Sequence, residues 1–236
     1  MRRGLIRLLL LAVLAAAVAL AAWWWFREFR PERDRYPIRG IDVSHHQGAI
    51  DWSKVASDEV AFAYLKATEG GDHRDRIFAR NWREARDAGI AVGAYHFFTF
   101  CRPGADQAAN VLAVVPVEAD ALPLAVDLEF GGNCGRTPDG ATMRRELDAF
   151  LVPVERVYGK SALLYVTPEF LDAYRTHLPV RALWRRSILR KPDGAASWHV
   201  WQYHNHGSVD GIAGPVDLNV FVDDADAFAD WRVVAE

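Results

Sequence analysis

Two acidic residues, one position apart, close an apolar segment of the chain. Asp127 and Glu129 end the run Leu124–Glu129, whose other members are Leu, Ala and Val. Alternate side chains of a β-strand point to the same face, so we expect both carboxyl groups on one side. Like charges this close raise the proton affinity of one member. The pair can therefore supply a carboxylic acid and a carboxylate near neutral pH, as acid/base catalysis requires.

Two further acids, Asp42 and Asp217, lie in the first and last predicted strands. In a closed barrel these strands are neighbours, so the two side chains could approach each other, facing Asp127 and Glu129 across the mouth. Either residue alone could be an ordinary strand-end or turn residue. Four acids in one cleft have few structural uses, so the set indicates an active site.

Aromatic and amide side chains fall at the same strand ends. They are Tyr95, Tyr165, Trp201, Tyr203, Gln202 and Asn219. Flat apolar faces beside carboxylates and amides suit a sugar, whose C–H face stacks while its hydroxyls form hydrogen bonds. Only alternate residues of a barrel strand point inward. Core packing is the alternative for each aromatic residue. We expect Tyr165 and Trp201 in the site and Tyr203 in the core.

Eight short β-rich runs recur along the chain. They are Ile38–Ser44, Val60–Ala67, Ile90–Phe98, Pro123–Glu129, Ser161–Val166, Leu183–Ile188, Trp198–Tyr203 and Asp217–Phe221. Helical patterns lie between them, for example over Asp75–Ala88, and Thr167–Glu169 opens another. This alternation predicts an α/β fold with a parallel sheet covered by helices. An irregular closed TIM-like (β/α) barrel lacking some helices in its second half is favoured over a doubly wound open sheet.

The N-terminal segment differs from the rest of the chain. Basic residues precede an uninterrupted apolar run, Leu8–Phe26, which is close to the length that a membrane-spanning helix needs. Ala19–Ala21 fits the cleavage site of a removable signal peptide, whereas Trp23–Trp25 suits the interfacial end of a retained span. We expect a single-pass anchor or signal over residues 1–26, a linker over 27–36 and an exported catalytic domain over 37–236.

Composition and charge narrow the function classes. The chain has 236 residues, 51% of them hydrophobic, and a formal net charge of -3. The first 35 residues hold seven Arg and three acids, so the predicted domain is more acidic than the whole chain. Nucleic-acid binding needs a basic face, and the domain has no Lys/Arg cluster, zinc-finger spacing or Gly-rich phosphate loop. The sequence therefore argues against a nucleic-acid partner.

The chain has two cysteines, Cys101 and Cys134. Outside the cytoplasm, oxidising conditions let two thiols pair. Two unpaired thiols remain the alternative, and a metal site is disfavoured because neither cysteine has a ligand at finger-like spacing.

Taken together, these residues resemble glycoside hydrolase family 25, the Chalaropsis-type muramidases. The matching segments are Gly40–Ser44, His46–Gly48, Asp51–Trp52, Phe62–Gly70, Gly93–Phe97, Asp127–Glu129, Leu164–Tyr165, Trp201–Tyr203 and Val216–Phe221. They occur in the family's order across the whole predicted domain, which makes the match specific.

The resemblance implies a retaining hydrolase of the β-1,4 bond between N-acetylmuramic acid and N-acetylglucosamine in peptidoglycan, with the substrate's acetamido group as nucleophile. It implies that Glu129 is the general acid and base and that Asp127 orients the acetamido group. Asp42 and Asp217 match the two other site acids. Tyr95, Tyr165, Trp201 and Gln202 would contact the sugars. No metal or cofactor is required, and we expect a monomer.

The chain departs from the family at Trp184–Ile188, where two arginines stand in a run that is usually apolar. They face either the anionic wall or solvent. Two other functions remain open at this point. One is a catalytically idle peptidoglycan-binding protein. The other is a metal-dependent hydrolase that uses Asp42, His45, His46 and His96, although adjacent histidines on a strand would point to opposite faces.

Overall fold

The computed structural model describes residues 2–193 and 198–233. Its strands are β1 Arg39–Val43, β2 Phe62–Glu69, β3 His73–Arg74, β4 Ala91–Phe97, β5 Ala125–Leu128, β6 Leu163–Val166, β7 Ala182–Arg186, β8 Val200–Gly207 and β9 Val216–Phe221. They form one sheet in the order β1-β9-β8-β7-β6-β5-β4-β2-β3, and β1 also pairs with β2. This pairing closes an eight-stranded barrel, as predicted, with β3 as a small addition to β2.

The direction of β9 departs from the predicted parallel sheet. β9 runs antiparallel to both of its neighbours, β1 and β8. Its amino end, where Asp217 lies, is therefore at the same mouth of the barrel as the carboxyl ends of the other strands. In this register Asp42 is directly opposite Asp217.

The helices are α1 Arg2–Glu28, α2 Trp52–Ser57, α3 Phe78–Asp87, α4 Gly104–Leu112, α5 Gly140–Tyr158, α6 Pro168–Tyr174 and α7 Ala225–Arg232, with a 3-10 helix over His45–Gln47. The side chain of Thr167 caps α6 by accepting a hydrogen bond from the backbone N–H of Phe170. In the described part of the chain no helix lies between β7 and β8 or between β8 and β9. The second half of the barrel is therefore incompletely covered, as predicted.

Two apolar layers hold the barrel together. One lies between the strands and the surrounding helices, and the other fills the barrel interior. At the end opposite the acids, Phe228 of α7 packs on Phe62 and Phe221, with ring centroids 5.6 and 5.2 Å apart. Side chains thus fill the lower part of the barrel interior, and a cleft opens at the mouth.

The segment predicted to be a linker packs on the barrel. We call residues 26–36 the neck. The ring of Phe29 lies 6.1 Å from that of Tyr203, and His204 Nε2 is 2.7 Å from the carbonyl oxygen of Phe26. Tyr36 is buried beside Trp198 and Trp201. The neck is therefore part of the folded domain, and α1 joins the barrel through it.

Helix α1 contains one stretch, Ile6–Glu28, that is long and apolar enough to cross a membrane, with mean hydropathy 2.4. A signal sequence near the N-terminus has the same length and composition. The helix is thus consistent with an anchor or a signal.

Cys101 and Cys134 form a disulfide that joins the loop after β4 to the loop after β5. Asn133, next to the bridge, donates from Nδ2 to the carbonyl oxygen of Glu129 at 3.1 Å. The bridge and this amide together hold the loop that follows Glu129.

We expect replacement of Cys101 and Cys134 by Ser to lower the free energy of unfolding by about 3–4 kcal/mol, because the bridge restricts the unfolded chain. Denaturant unfolding with and without reductant measures this difference. The double variant should be insensitive to reductant, whereas equal stability of the oxidised and reduced native proteins would contradict the prediction.

Candidate active site

A cleft of about 280 Å³ opens at the mouth of the barrel. Its lining residues are Asp42, Tyr95, Asp127, Glu129, Tyr165, Trp184, Arg186, Gln202, Asn205 and Asp217. All four acids predicted from the sequence therefore meet in one place, together with Tyr95, Tyr165 and Gln202.

Buried hydrogen bonds hold the Asp42 carboxyl group in place. Its Oδ2 accepts from Gln202 Nε2 at 3.0 Å and from Asn219 Nδ2 at 2.7 Å. Each amide is oriented in turn: the hydroxyl of Tyr165 donates to Gln202 Oε1 at 3.0 Å, and Trp184 Nε1 donates to Asn219 Oδ1 at 2.8 Å. Gln202, predicted to contact substrate, thus has both ends of its amide engaged in supporting Asp42.

The carboxyl groups of Asp42 and Asp217 face each other across the β1–β9 pairing. Burial raises the pKa of both, and for Asp42 the hydrogen bonds from Asn219 and Gln202 oppose that effect. For Asp217 burial and then the charge of Asp42 raise the pKa to about 9. Asp217 is therefore protonated at neutral pH.

Thermal stability should fall as pH rises from about 4 to about 9, because the folded protein retains on Asp217 a proton that the unfolded chain releases near pH 3.8. Asp217→Asn removes this titration. Its melting temperature should depend less on pH and should exceed that of the native protein by a few degrees at the alkaline end of the range. Melting curves across pH measure the slope, with Asp148→Asn on the surface of α5 as control. Equal slopes for native protein and Asp217→Asn would contradict the assignment.

Asp127 and Glu129 lie on the same side of β5, as predicted. Burial raises the pKa of Asp127 well above its ordinary value, and the charges of Glu129 and Asp42 raise it further. Burial also raises the pKa of Glu129, while the nearby Arg186 lowers it. Two interacting carboxyl groups titrate as a pair, and burial disfavours the state in which both are charged.

One oxygen of Asp127 lacks a partner. Oδ1 is buried and accepts no hydrogen bond from the described residues. A buried acceptor without a donor is destabilising and is rare in native proteins. An acceptor of this kind at the floor of a cleft suits a ligand that brings its own N–H or O–H donor.

The cleft also contains a cation that was not predicted as a site residue. Arg186 Nη1 lies 3.9 Å from Glu129 Oε2, and Arg186 Nη2 lies 3.3 Å from Glu169 Oε1. Arg185, its neighbour on β7, is directed elsewhere and donates to the carbonyl oxygen of Asp193. Of the two arginines that depart from the family pattern, Arg186 thus faces the site.

The prediction for Trp201 is wrong. Trp201 is 3% exposed, lies in the layer outside the barrel and donates from Nε1 to the carbonyl oxygen of Ser187 at 2.7 Å. Strand alternation explains this position, because Gln202 faces the cleft and both of its neighbours must then face outward. Tyr203 lies in the same outer layer, as expected. Trp184 of β7 is the tryptophan that lines the cleft.

The four residues of the metal-hydrolase alternative do not converge. His96 is buried outside the barrel, where it contacts Thr68 Oγ1 at 2.7 Å and Gln107 Oε1 at 3.0 Å. Burial lowers its pKa to about 4, so it is a neutral core residue. His45 Nδ1 lies 3.1 Å from Asp75 Oδ2, whereas Asp42 lies in the cleft.

Sequence reasoning missed three residues that line the cleft, and it placed Asn219 among the amides suited to a sugar. Trp184, Arg186 and Asn205 line the cleft, and Asn219 orients Asp42 from beneath. Period-two alternation along β7 could have placed Trp184 and Arg186 on one face. Asn205 follows an irregularity in the pairing of β8 with β9, which no sequence pattern indicates.

The sequence profile of "Glycosyl hydrolases family 25" matches residues 41–212, which include every acid of the cleft except Asp217. The chain belongs to glycosyl hydrolase family 25. The barrel with its acidic mouth is thus the catalytic scaffold of this family.

Relatives of this family 25 protein are found among bacteria. An uncharacterized protein of Escherichia coli, YegX, is 35% identical over 209 residues, which cover 83% of this chain and 74% of the relative. Lysozyme M1 of Streptomyces globisporus is 33% identical over 206 residues, covering 80% and 69%. The structure of a family 25 glycosyl hydrolase from Bacillus anthracis superposes with a TM-score of 0.81 at 37% identity, covering 86% and 97%.

Proposed function

We propose that this family 25 glycosidase is a muramidase, which hydrolyses the β-1,4 bond between N-acetylmuramic acid and N-acetylglucosamine in peptidoglycan. The observation that carries the proposal is the pair Asp127 and Glu129, two neighbouring carboxyl groups with raised pKa values in a cleft lined by further acids and aromatic rings. Lysozyme M1, a relative at 33% identity, supports the same substrate class.

Glu129 is the general acid in this proposal. It protonates the glycosidic oxygen as the bond to the anomeric carbon breaks, and it later takes a proton from the attacking water. The substrate's acetamido oxygen forms the new bond to the anomeric carbon, and water then opens the resulting oxazolinium ring. Two displacements at one carbon retain the configuration.

Asp127 accepts a hydrogen bond from the acetamido N–H of the substrate in this proposal. Its unpartnered Oδ1 is an acceptor in the place where such a donor is needed. A hydrogen bond to the charged form of Asp127 favours its ionisation, and the negative charge of Asp127 then favours the protonated form of Glu129. Substrate binding would thus set the protonation states that the reaction requires, with a carboxylate at Asp127 and an acid at Glu129.

The other cleft residues support this chemistry. Asp42 and its amide partners form a fixed polar wall, and Asp217 opposite it is a neutral donor at neutral pH. Tyr95 and Tyr165 offer aromatic surface for the sugars. These roles require no metal ion.

The site of action follows from the substrate. A cell-wall hydrolase acts in the periplasm or outside the cell, and the apolar helix α1 suits the export of the domain. We assign α1 to a retained single-pass anchor, supported by Trp23–Trp25 at its end and by the packed neck behind it. The protein acts as a monomer in this proposal.

Mass spectrometry of the products tests the function. The full chain in detergent, incubated with purified peptidoglycan, should release muropeptides whose reducing end is N-acetylmuramic acid. Reducing ends of N-acetylglucosamine would instead indicate cleavage of the other glycosidic bond. Sedimentation with the wall without release of any fragment would identify an idle binding protein.

A further inference from the structure

Arg186 stands between two carboxylates at the rim of the cleft. Its guanidinium is closer to Glu169, at 3.3 Å, than to Glu129, at 3.9 Å. The side chain of Arg186 is 33% exposed and that of Glu169 is 55% exposed. Glu169 does not line the cleft, so it acts on the site only through its neighbours and its charge.

The backbone of α6 fixes where Glu169 can reach. Thr167 caps the helix and Pro168 occupies its first turn, so Glu169 projects from a rigid N-terminus. An acidic side chain is favoured at this end of a helix because of the helix dipole. β6 and β7 are neighbours in the barrel, and the helix that starts after β6 therefore presents Glu169 beside the end of β7, where Arg186 lies.

Charged or titratable side chains approach Glu129 from six elements. They are Asp42 of β1, Lys66 of β2, Asp127 of β5, Glu169 of α6, Arg186 of β7 and Asp217 of β9. Lys66 is paired with Glu69 at 2.7 Å. Among the residues that line the cleft in the described part of the chain, Arg186 alone is cationic.

The Arg186 charge opposes the role of Glu129 as an acid. A full ion pair with Arg186 would stabilise the Glu129 carboxylate and make its proton easier to lose. The carboxylate of Glu169 competes for the same guanidinium, which lies nearer to Glu169 than to Glu129.

We propose that Glu169 is a positioning residue that draws the Arg186 guanidinium away from Glu129, so that the Arg186–Glu169 pair sets the alkaline limit of wall hydrolysis. The inference rests on the proposed function, in which Glu129 must hold a proton before the glycosidic bond breaks. Removing either partner of the pair should then move that limit, in opposite directions.

The test is the pH profile of kcat/KM on purified peptidoglycan, with the full chain in detergent. Glu169→Gln frees Arg186 to pair with Glu129. The midpoint of the alkaline limb of the profile should then move to lower pH by about half a unit or more. Arg186→Gln should shift it up by about the same amount. Arg185→Gln, an adjacent arginine directed away from the cleft, is the matched control and should leave the limb unchanged.

The double variant separates positioning from a direct effect of the Glu169 charge. If Glu169 acts through Arg186, the Glu169 substitution has no effect once Arg186 is absent. The double variant should then have the same alkaline midpoint as Arg186→Gln alone. An equal downward shift in both backgrounds would overturn the proposal. Titration of Glu129 by 13C NMR of carboxyl-labelled protein should give the same order of midpoints in the absence of substrate.

Failure of the inference can be told from failure of the proposed function. If the native chain hydrolyses peptidoglycan and neither single variant moves the limb, the pair has no such role and the muramidase assignment stands. If the native chain releases no fragments, the proposed function itself fails. In that case the NMR midpoints still show whether the pair controls Glu129.

Discussion

The Glu129→Gln variant is expected to lose roughly 10²- to 10⁴-fold in the rate of peptidoglycan hydrolysis, the usual effect of removing a general acid/base. Gln has nearly the same shape as Glu but cannot donate a proton to the glycosidic oxygen. It also cannot take one from water, so both chemical steps lose their catalyst. Binding of the wall should persist, because the remainder of the cleft is unchanged.

Release of reducing ends by the native chain and the variant measures this effect. Glu84→Gln is the matched control, because Glu84 is paired with Arg80 on the surface of α3, away from the cleft. Its activity should equal that of the native chain. Hydrolysis by a folded Glu129→Gln variant at the native rate would remove Glu129 from the mechanism.

The Asp127→Asn variant is expected to lose about 10²- to 10³-fold in activity, the range found when a group that stabilises developing charge is removed. Asn cannot carry the negative charge that the oxazolinium ion needs beside it. The stability of the folded protein at neutral pH should instead increase. The native carboxyl group, with its raised pKa and unpartnered oxygen, is destabilising when ionised, and the neutral amide avoids that penalty.

Two measurements on the same sample check this prediction, the hydrolysis rate and the melting temperature at neutral pH. Asp148→Asn on α5 serves as the surface control, since Asp148 pairs with Arg144 in solvent. A loss of activity accompanied by a large loss of stability would mean that Asp127 is a structural residue and would argue against the proposed role.

The barrel could be predicted because each strand carries its own signal. Short apolar runs, separated by capped helices or turns, placed all eight barrel strands within a few residues of their observed bounds. The acids near the carboxyl ends of the parallel strands meet at one mouth, and Asp217 joins them from the amino end of the antiparallel β9. Pairing of Asp127 with Glu129 required only the two-residue period of a strand.

Other features depend on contacts that no local pattern contains. On β8 the inward-facing and the outward-facing residues both include large side chains, and neither set is purely apolar. The pattern therefore could not decide whether Trp201 or Gln202 faces the cleft. The direction of β9 depends on the path of the loop before it. The position of Arg186 depends on Glu169, which is close to it only after β6 and β7 pair.

Once α1 is held in a membrane, the packed neck restricts the positions that the cleft can take relative to that membrane. A flexible linker of ten residues would have an r.m.s. end-to-end distance of about 17 Å, and the domain could move over a similar range. Here, by contrast, Phe26 and Phe29 are held against β8. His204, which contacts Phe26, precedes Asn205 of the cleft, so the helix meets the barrel beside its mouth. An anchored chain would therefore select its glycan strands by height above the bilayer, and only the layer of wall nearest the membrane would be within reach.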